Sequence, residues 1–233
     1  GNYFNFYGLY KNMAKQTTVF VCSECGATSP RWLGRCPSCG KFNTMAEEIV
    51  APPAPAAAKA AKKSAYASSR AKPLSQVEFQ TYERTPSGIS EFDNVIGGGI
   101  VKGSLILLGG DPGIGKSTLL TQIAAHLSQS HKVLYFSAEE SCSQVKLRAE
   151  RLNVPSDNLL LLNETCIDGL ESELDGVEFC VIDSIQAVYT EDLSSSSGSV
   201  GQVRECASRI MRIAKSRGIT FFIIGHVTKE GAL

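Results

Sequence analysis

No stretch of eighteen or more apolar residues occurs in these 233 residues, so nothing in the sequence reads as a membrane-spanning helix. Residues 1 to 12 are aromatic and Asn-rich but lack a basic opening, a long apolar run and a small-residue cleavage site, so they do not read as a signal peptide. They read as an upstream extension, disordered and without a role in the fold, ahead of the basic start at Met13. The expectation is a soluble protein of a reducing cytoplasm with no membrane partner. Net charge is lacking too, since 23 Lys and Arg balance 23 Asp and Glu. That balance by itself argues neither for nor against nucleic acid. No internal repeat is evident.

The charges that cancel overall are unevenly placed. Residues 1 to 75 carry ten Lys and Arg against three acids, and residues 76 to 233 carry thirteen against twenty. A basic front suits a phosphate backbone or a solvated, solubilising face, and charge alone does not choose between them. Residues 13 to 45 hold four of the eight cysteines and the single tryptophan in a stretch too short to bury a core, so that segment needs a staple. Residues 46 to 75 are rich in Ala, Pro, Lys and Ser without sustained apolar periodicity, the composition of a flexible basic linker.

Residues 76 to 233 read as an α/β domain with a mainly parallel, covered sheet. Short apolar runs alternate with longer mixed segments, and the candidate strands are 104–108, 133–137, 159–162, 179–182 and 220–225. Helices are expected at 116–128 and 200–217. In the latter, Val203, Ala207, Ile210 and Ala214 share a face, opposite Arg209, Arg212 and Lys215. The Ser-rich piece at 192–199 reads as a mobile loop. The sequence stops soon after the last strand, where such a core is expected to continue, so the domain reads as incomplete at its C-terminus.

Two constellations carry chemistry. Gly110, Gly115, Lys116 and Ser117 fit G-x-x-x-x-G-K-[ST] between an apolar strand and a helix. The loop Gly110, Asp111, Pro112, Gly113, Ile114, Gly115 would wrap its N–H groups around ATP phosphates, with Lys116 on the β/γ-phosphates, Ser117 on Mg²⁺ and Thr118 on the α/β side. Asp183 ends a second apolar run and would hold the Mg²⁺ water shell from a neighbouring strand. Glu139 follows a third strand into the same crevice, where a carboxylate orients or deprotonates water. Glu140 competes for that role, and both acids could instead complement a helix dipole. His226, after the last strand, is either a γ-phosphate sensor or a strand-end hydrogen bond.

Cys22, Cys25, Cys36 and Cys39 form C-x2-C-x10-C-x2-C, each pair followed by Gly, and four thiolates satisfy a structural, tetrahedral Zn²⁺. Disulfides do not suit a reducing compartment, and a redox motif needs one pair rather than two. Arg31, Trp32, Arg35 and Lys41 offer cations and an aromatic for DNA, although Trp32 could equally pack on the ribbon. Cys142, Cys166, Cys180 and Cys206 have no ligand spacing and read as small buried residues.

The segments CSECGATSPRWLGRCPSCGKFNTM, SGISEFDNVIGGGIVKGSLILLGGDPGIGKSTL, VLYFSAEES, VIDSIQ and GSVGQVRECA together resemble the bacterial RadA (Sms) DNA repair and recombination ATPases, over residues 13 to 233. The resemblance implies a RecA-like core whose DNA-dependent ATPase drives branch migration and helicase-like translocation. It also implies single-stranded and branched DNA and a RecA-type recombinase filament as partners, and a hexameric ring. By motif position it makes Glu139, Lys116 and Asp183 catalytic and His226 the nucleotide sensor. The family normally continues with a KNRFG motif and a Lon-protease-like domain that this sequence does not contain. A different reading of the same residues is a RecA-related ATP switch that regulates protein partners instead of moving DNA. A third is a zinc-dependent nucleic-acid-binding module with a vestigial ATP site, against which the intact Lys116, Ser117, Asp183 and Glu139 argue.

Overall fold

A computed structural model of the protein describes residues 17–50, 73–77, 83–152 and 157–226. The extension expected at 1–12 and most of the linker expected at 46–75 lie outside the described residues. The first unit is a three-stranded antiparallel sheet of β1 (Thr17–Cys22), β2 (Thr28–Ser29) and β3 (Met45–Val50), in the order β2-β1-β3. β3 pairs along the whole of β1, from Cys22 opposite Met45 to Thr17 opposite Val50. The ribbon therefore runs five residues past the boundary expected at 45. A six-residue strand that mixes Ala and Glu is masked by the Ala- and Pro-rich composition after it. Among the described residues, the apolar cluster of this unit is Cys22, Cys36 and Met45, with Phe20, Cys25, Ala27 and Leu33 against it.

The larger unit has a two-stranded hairpin, β4 (Arg84–Thr85) with β5 (Ile100–Val101), around helix α1 (Ser90–Val95). Beyond it lies a five-stranded sheet of β6 (Leu105–Gly110), β7 (Val133–Ser137), β8 (Leu159–Asn163), β9 (Phe179–Asp183) and β10 (Thr220–His226). The order is β6-β10-β9-β7-β8, and every pairing is parallel. All five expected strands are present, each within two residues of its expected ends. The helices are α2 (Lys116–Leu127), α3 (Cys142–Arg151) and α4 (Val200–Arg217).

Crossover helices cover both faces, which is why β7, β9 and β10 read as unbroken apolar runs. On one face Leu120, Ile123 and Leu127 of α2 meet Val133, Tyr135, Val181, Phe222 and Ile224; on the other Cys206, Ile210, Ile213 and Ala214 of α4 meet Cys180, Ile182, Phe221 and Ile223. Edge strand β6 contributes nothing to the second cluster. Its Leu105 and Leu107 stay exposed among the described residues, so the sheet is less fully covered than expected. Among the described residues, no helix is long and apolar enough to cross a membrane.

Helix ends follow local chemistry. Ser141 and Gln144 cap α3 reciprocally, Ser199 accepts from Gln202 N at the start of α4, and Gly218 at φ 66 ends α4 in the left-handed conformation. The 192–199 loop, expected to be mobile, is held from inside. Gln202 is fully buried; its Nε2 donates to the carbonyls of Thr190, Leu193 and Ser195, and its Oε1 accepts from Thr190 N. Arg209 adds ion pairs to Asp168, Asp192 and Glu205. Composition marks a Ser-rich stretch as a loop but says nothing of the side chains that will hold it.

Candidate nucleotide and metal sites

Register brings the chemistry-bearing residues to one end of the sheet. His226 of β10 lies opposite Gly110 of β6, and Ser137 of β7 lies opposite both Asp183 of β9 and Asn163 of β8. The carboxyl ends of all five strands thus form one rim, where open α/β sheets place their ligands. Asp183 was expected on a strand next to the Gly-rich loop. In the structure β10 is inserted between β9 and β6, and this sets His226 between the aspartate and the loop. Strand order is a tertiary property, and apolar runs carry no trace of it.

The 110–115 loop turns back through Gly113 at φ 81 and Gly115 at φ 96, values that favour glycine, and a Cβ at either would meet nothing within 4 Å. Gly115 caps α2 without any side-chain hydrogen bond, so the first N–H groups of the helix have no capping side chain. A positive helix end and a concave loop of N–H groups is the arrangement that binds phosphate. Lys116 is buried, and its Nζ donates to the carbonyls of Gly110 at 2.7 Å and Asp111 at 2.6 Å. Its ammonium is therefore already aimed over the loop. A cleft of about 400 Å³, lined by Thr118, Gln144, Leu147, Arg148 and Arg151, opens beside it.

Asp183 is 3% exposed. Burial pushes its carboxyl pKa up, against hydrogen bonds from Tyr135 and Ser117 that favour the charged form. The fully buried Tyr135 donates its hydroxyl to Asp183 Oδ2 at 2.7 Å. Glu139 and Glu140 part company. Glu140 pairs with Arg148, whose Nε also donates to Thr121 Oγ1 at 3.1 Å. Glu139 faces the rim, where its Oε1 accepts from Ser184 Oγ and lies 3.1 Å from His226 Nε2. Among the described residues, the buried Nδ1 of His226 has no hydrogen-bond partner. Gln186 clamps its backbone at both ends, accepting from His226 N and donating to His226 O, each at 3.1 Å. Tyr135, Ser184, Gln186 and Arg148 escaped the sequence reading. Tyr135 sits in a run that reads as core strand and Arg148 in one that reads as polar helix, Ser184 and Gln186 follow the end of β9, and no spacing rule marks any of them.

In the ribbon the four sulfurs of Cys22, Cys25, Cys36 and Cys39 all lie within 4.8 Å of one another. Cys22 Sγ is 3.7 Å from Cys39 Sγ, and Cys25 Sγ is 3.6 Å from Cys36 Sγ. Four sulfurs at the Zn–S bond length around a tetrahedral ion stand about 3.8 Å apart, so the cluster fits zinc. Burial raises the Cys22 thiol, but hydrogen bonds to Thr44 and to the N–H groups of Cys25 and Glu24 outweigh it and bring the group down to about 6. For Cys39 the N–H of Lys41 lowers the pKa, yet burial and the three neighbouring sulfurs push it up to about 12. Four thiolates cannot gather here without a cation among them. Of the cations expected to meet DNA, Lys41 pairs with Glu24 at 2.5 Å. Arg35 binds the Gly40 carbonyl at 2.9 Å and lies 5.5 Å from the Phe42 ring centroid. Trp32, at 55% exposure, and Arg31 face outward.

Strand, glycine loop and buried lysine on a parallel sheet, with carboxylates at the same rim and a four-thiol ribbon ahead of it, define a P-loop nucleotide-binding domain with a structural metal module. Residues 70–232 match the family described as AAA domain, and residues 20–47 match one described as rubredoxin metal binding domain. The chain belongs to the AAA domain family. It is also 49% identical to the DNA repair protein RadA of Bacillus subtilis (strain 168) over 225 residues, 95% of this chain and 49% of that protein. Similarity to the DNA repair protein RadA of Listeria monocytogenes is 49% over 229 residues, covering 94% and 48%. For that of Streptococcus pyogenes serotype M1 it is 46% over 224 residues, covering 95% and 49%. The chain spans about half the length of the curated relatives it matches.

Proposed function

We propose that this chain is the zinc-ribbon and ATP-hydrolysing part of a DNA-dependent ATPase of DNA repair and homologous recombination. The observation that carries the reading is the single rim holding Lys116, Ser117, Asp183, Glu139 and His226. The loop 110–115, Lys116, Ser117 and Thr118 hold the ATP phosphates, and the cleft beside Thr118 gives room for the nucleoside. Ser117 and Asp183 would hold Mg²⁺, which would supply positive charge to offset that of the phosphates. Glu139 takes a proton from water as its oxygen attacks the γ-phosphorus, and the bond to the ADP oxygen breaks. His226, touching Glu139, registers whether the γ-phosphate is present. The DNA reading draws on the relatives' names and on the outward-facing Arg31 and Trp32. Branch migration with helicase-like translocation, single-stranded and branched DNA, a recombinase filament as partner and a hexameric ring follow from the motif resemblance.

The test is the ATP turnover rate of this chain and of a form spanning the length of its relatives, each with and without single-stranded DNA. DNA should raise the rate of the longer form, and Lys116→Ala should abolish turnover in both. A rate indifferent to saturating DNA in both forms would favour a nucleotide switch acting on protein partners. Turnover that survives Lys116→Ala would remove the ATP site from the reading.

Tyr135 is a positioning residue in this scheme. A hydrogen bond to a charged group is worth about 1.5–3 kcal/mol, so Tyr135→Phe should leave the fold intact. It should raise the Mg²⁺ concentration for half-maximal turnover by about tenfold. A Mg²⁺ titration of the variant checks this. A change in maximal rate with no change in Mg²⁺ requirement would show that the hydroxyl acts elsewhere.

A further inference from the structure

The ribbon touches the larger unit along one face. Ser194 Oγ donates to the Glu47 carbonyl of β3. The next residue, Glu48, is 7% exposed, and its Oε1 stands 2.7 Å from where a Cβ on Gly201 would be, in the first turn of α4. Gly26, which follows the ligand Cys25 at φ 71, faces the same helix. A Cβ there would lie 2.6 Å from Arg204 Nη1 and 3.0 Å from Val200 Cγ1. Two of the three acids in the basic front of the chain, Glu47 and Glu48, are in β3, and the third, Glu24, pairs with Lys41. Carboxylate against the positive end of an eighteen-residue helix, with Arg204 one turn on, is a complementary pairing.

We infer that the zinc ribbon is a metal-dependent clamp on residues 192–204, docked on the P-loop unit rather than swinging free on its linker. Gln202 holds this segment from within and β3 holds it from outside. The ribbon can offer that face only while its strands are assembled, and its own apolar cluster is too small to assemble them without the metal. The clamped segment follows the strand that ends in Asp183. The state of the four-thiol site thus reaches the loop between the nucleotide rim and α4.

Amide hydrogen exchange of residues 192–204 in the zinc-loaded full chain tests the clamp. Arg204→Glu is the informative variant, because an acid near the start of a helix complements the dipole and would slow exchange in an isolated α4. Docking predicts the opposite: Arg204 packs its guanidinium on Gly26 of the ribbon, and losing that contact should raise exchange across 192–204 by about tenfold. Glu48→Lys, which puts a cation against the helix start, should do the same, with zinc content measured to show that the ribbon stays folded. Stripping zinc from the wild-type chain should reproduce both. Exchange that is unchanged or slower in Arg204→Glu, and unchanged on zinc removal, overturns the inference. If Glu48→Lys also loses zinc, Arg204→Glu and the zinc-stripped chain decide it, since neither changes a residue of β3.

Discussion

Glu139→Gln is expected to lower ATP turnover by about 10²- to 10⁴-fold while nucleotide binding stays within a few-fold of wild type. The side-chain amide keeps the shape and can still hydrogen-bond Ser184 and His226, which both meet Glu139 Oε1. What is lost is basicity, and with it the acceptor for the water proton. Glu140→Gln is the matched control. That carboxylate is spent on Arg148, at the wall of the cleft beside the loop, so its loss should fall on nucleotide affinity and leave maximal turnover within about tenfold of wild type. Phosphate release at saturating ATP, alongside equilibrium binding of a fluorescent ATP analogue, separates the two. If Glu140→Gln abolishes turnover and Glu139→Gln does not, the assignment is reversed. The adjacent acids look alike in sequence; the strand end turns one to the rim and the helix that follows recruits the other through Arg148.

That pair shows where sequence stops being legible. The Gly-rich loop could be read outright, because phosphate binding needs small residues, a lysine and a hydroxyl at fixed offsets on one continuous piece of chain. The central strands β7, β9 and β10 could be read because burial on both faces demands unbroken apolar runs, and the edge strands β6 and β8 because theirs are also apolar, although less buried. Strand order could not. The insertion of β10 between β6 and β9 places His226 beside Glu139, 87 residues away, and only tertiary packing decides it. Buried polar partners were equally hidden: Tyr135 passes for core in VLYFS, and Gln202 passes for surface in a helix start. β3 was lost for a different reason, being too short and too mixed for its alternation to stand out beside an Ala- and Pro-rich neighbour.

Removing zinc should unfold the ribbon and leave the P-loop unit standing. The ribbon's buried cluster is two of its own metal ligands plus Met45, edged by four partly buried residues. At about 1.5–3 kcal/mol for a fully buried large side chain, this falls well short of the entropy of ordering some thirty residues. A structural Zn²⁺ in peptides of this kind supplies about 10–16 kcal/mol, so the metal decides whether the ribbon folds at all. The core of the P-loop unit owes nothing to it, since its two apolar clusters lie on either side of its own sheet; only the docked segment 192–204 should loosen. The single tryptophan, Trp32, is in the ribbon, so its emission reports that unit alone. A chelator should therefore shift Trp32 emission to the red at room temperature, while far-ultraviolet circular dichroism still shows a cooperative thermal transition from the parallel sheet. Cys36→Ser, at a buried ligand, should give the same spectrum in the presence of added zinc. If Trp32 emission and ribbon strand content survive chelation, the four thiols are not what folds this segment, and the metal dependence of the clamp on 192–204 falls with them.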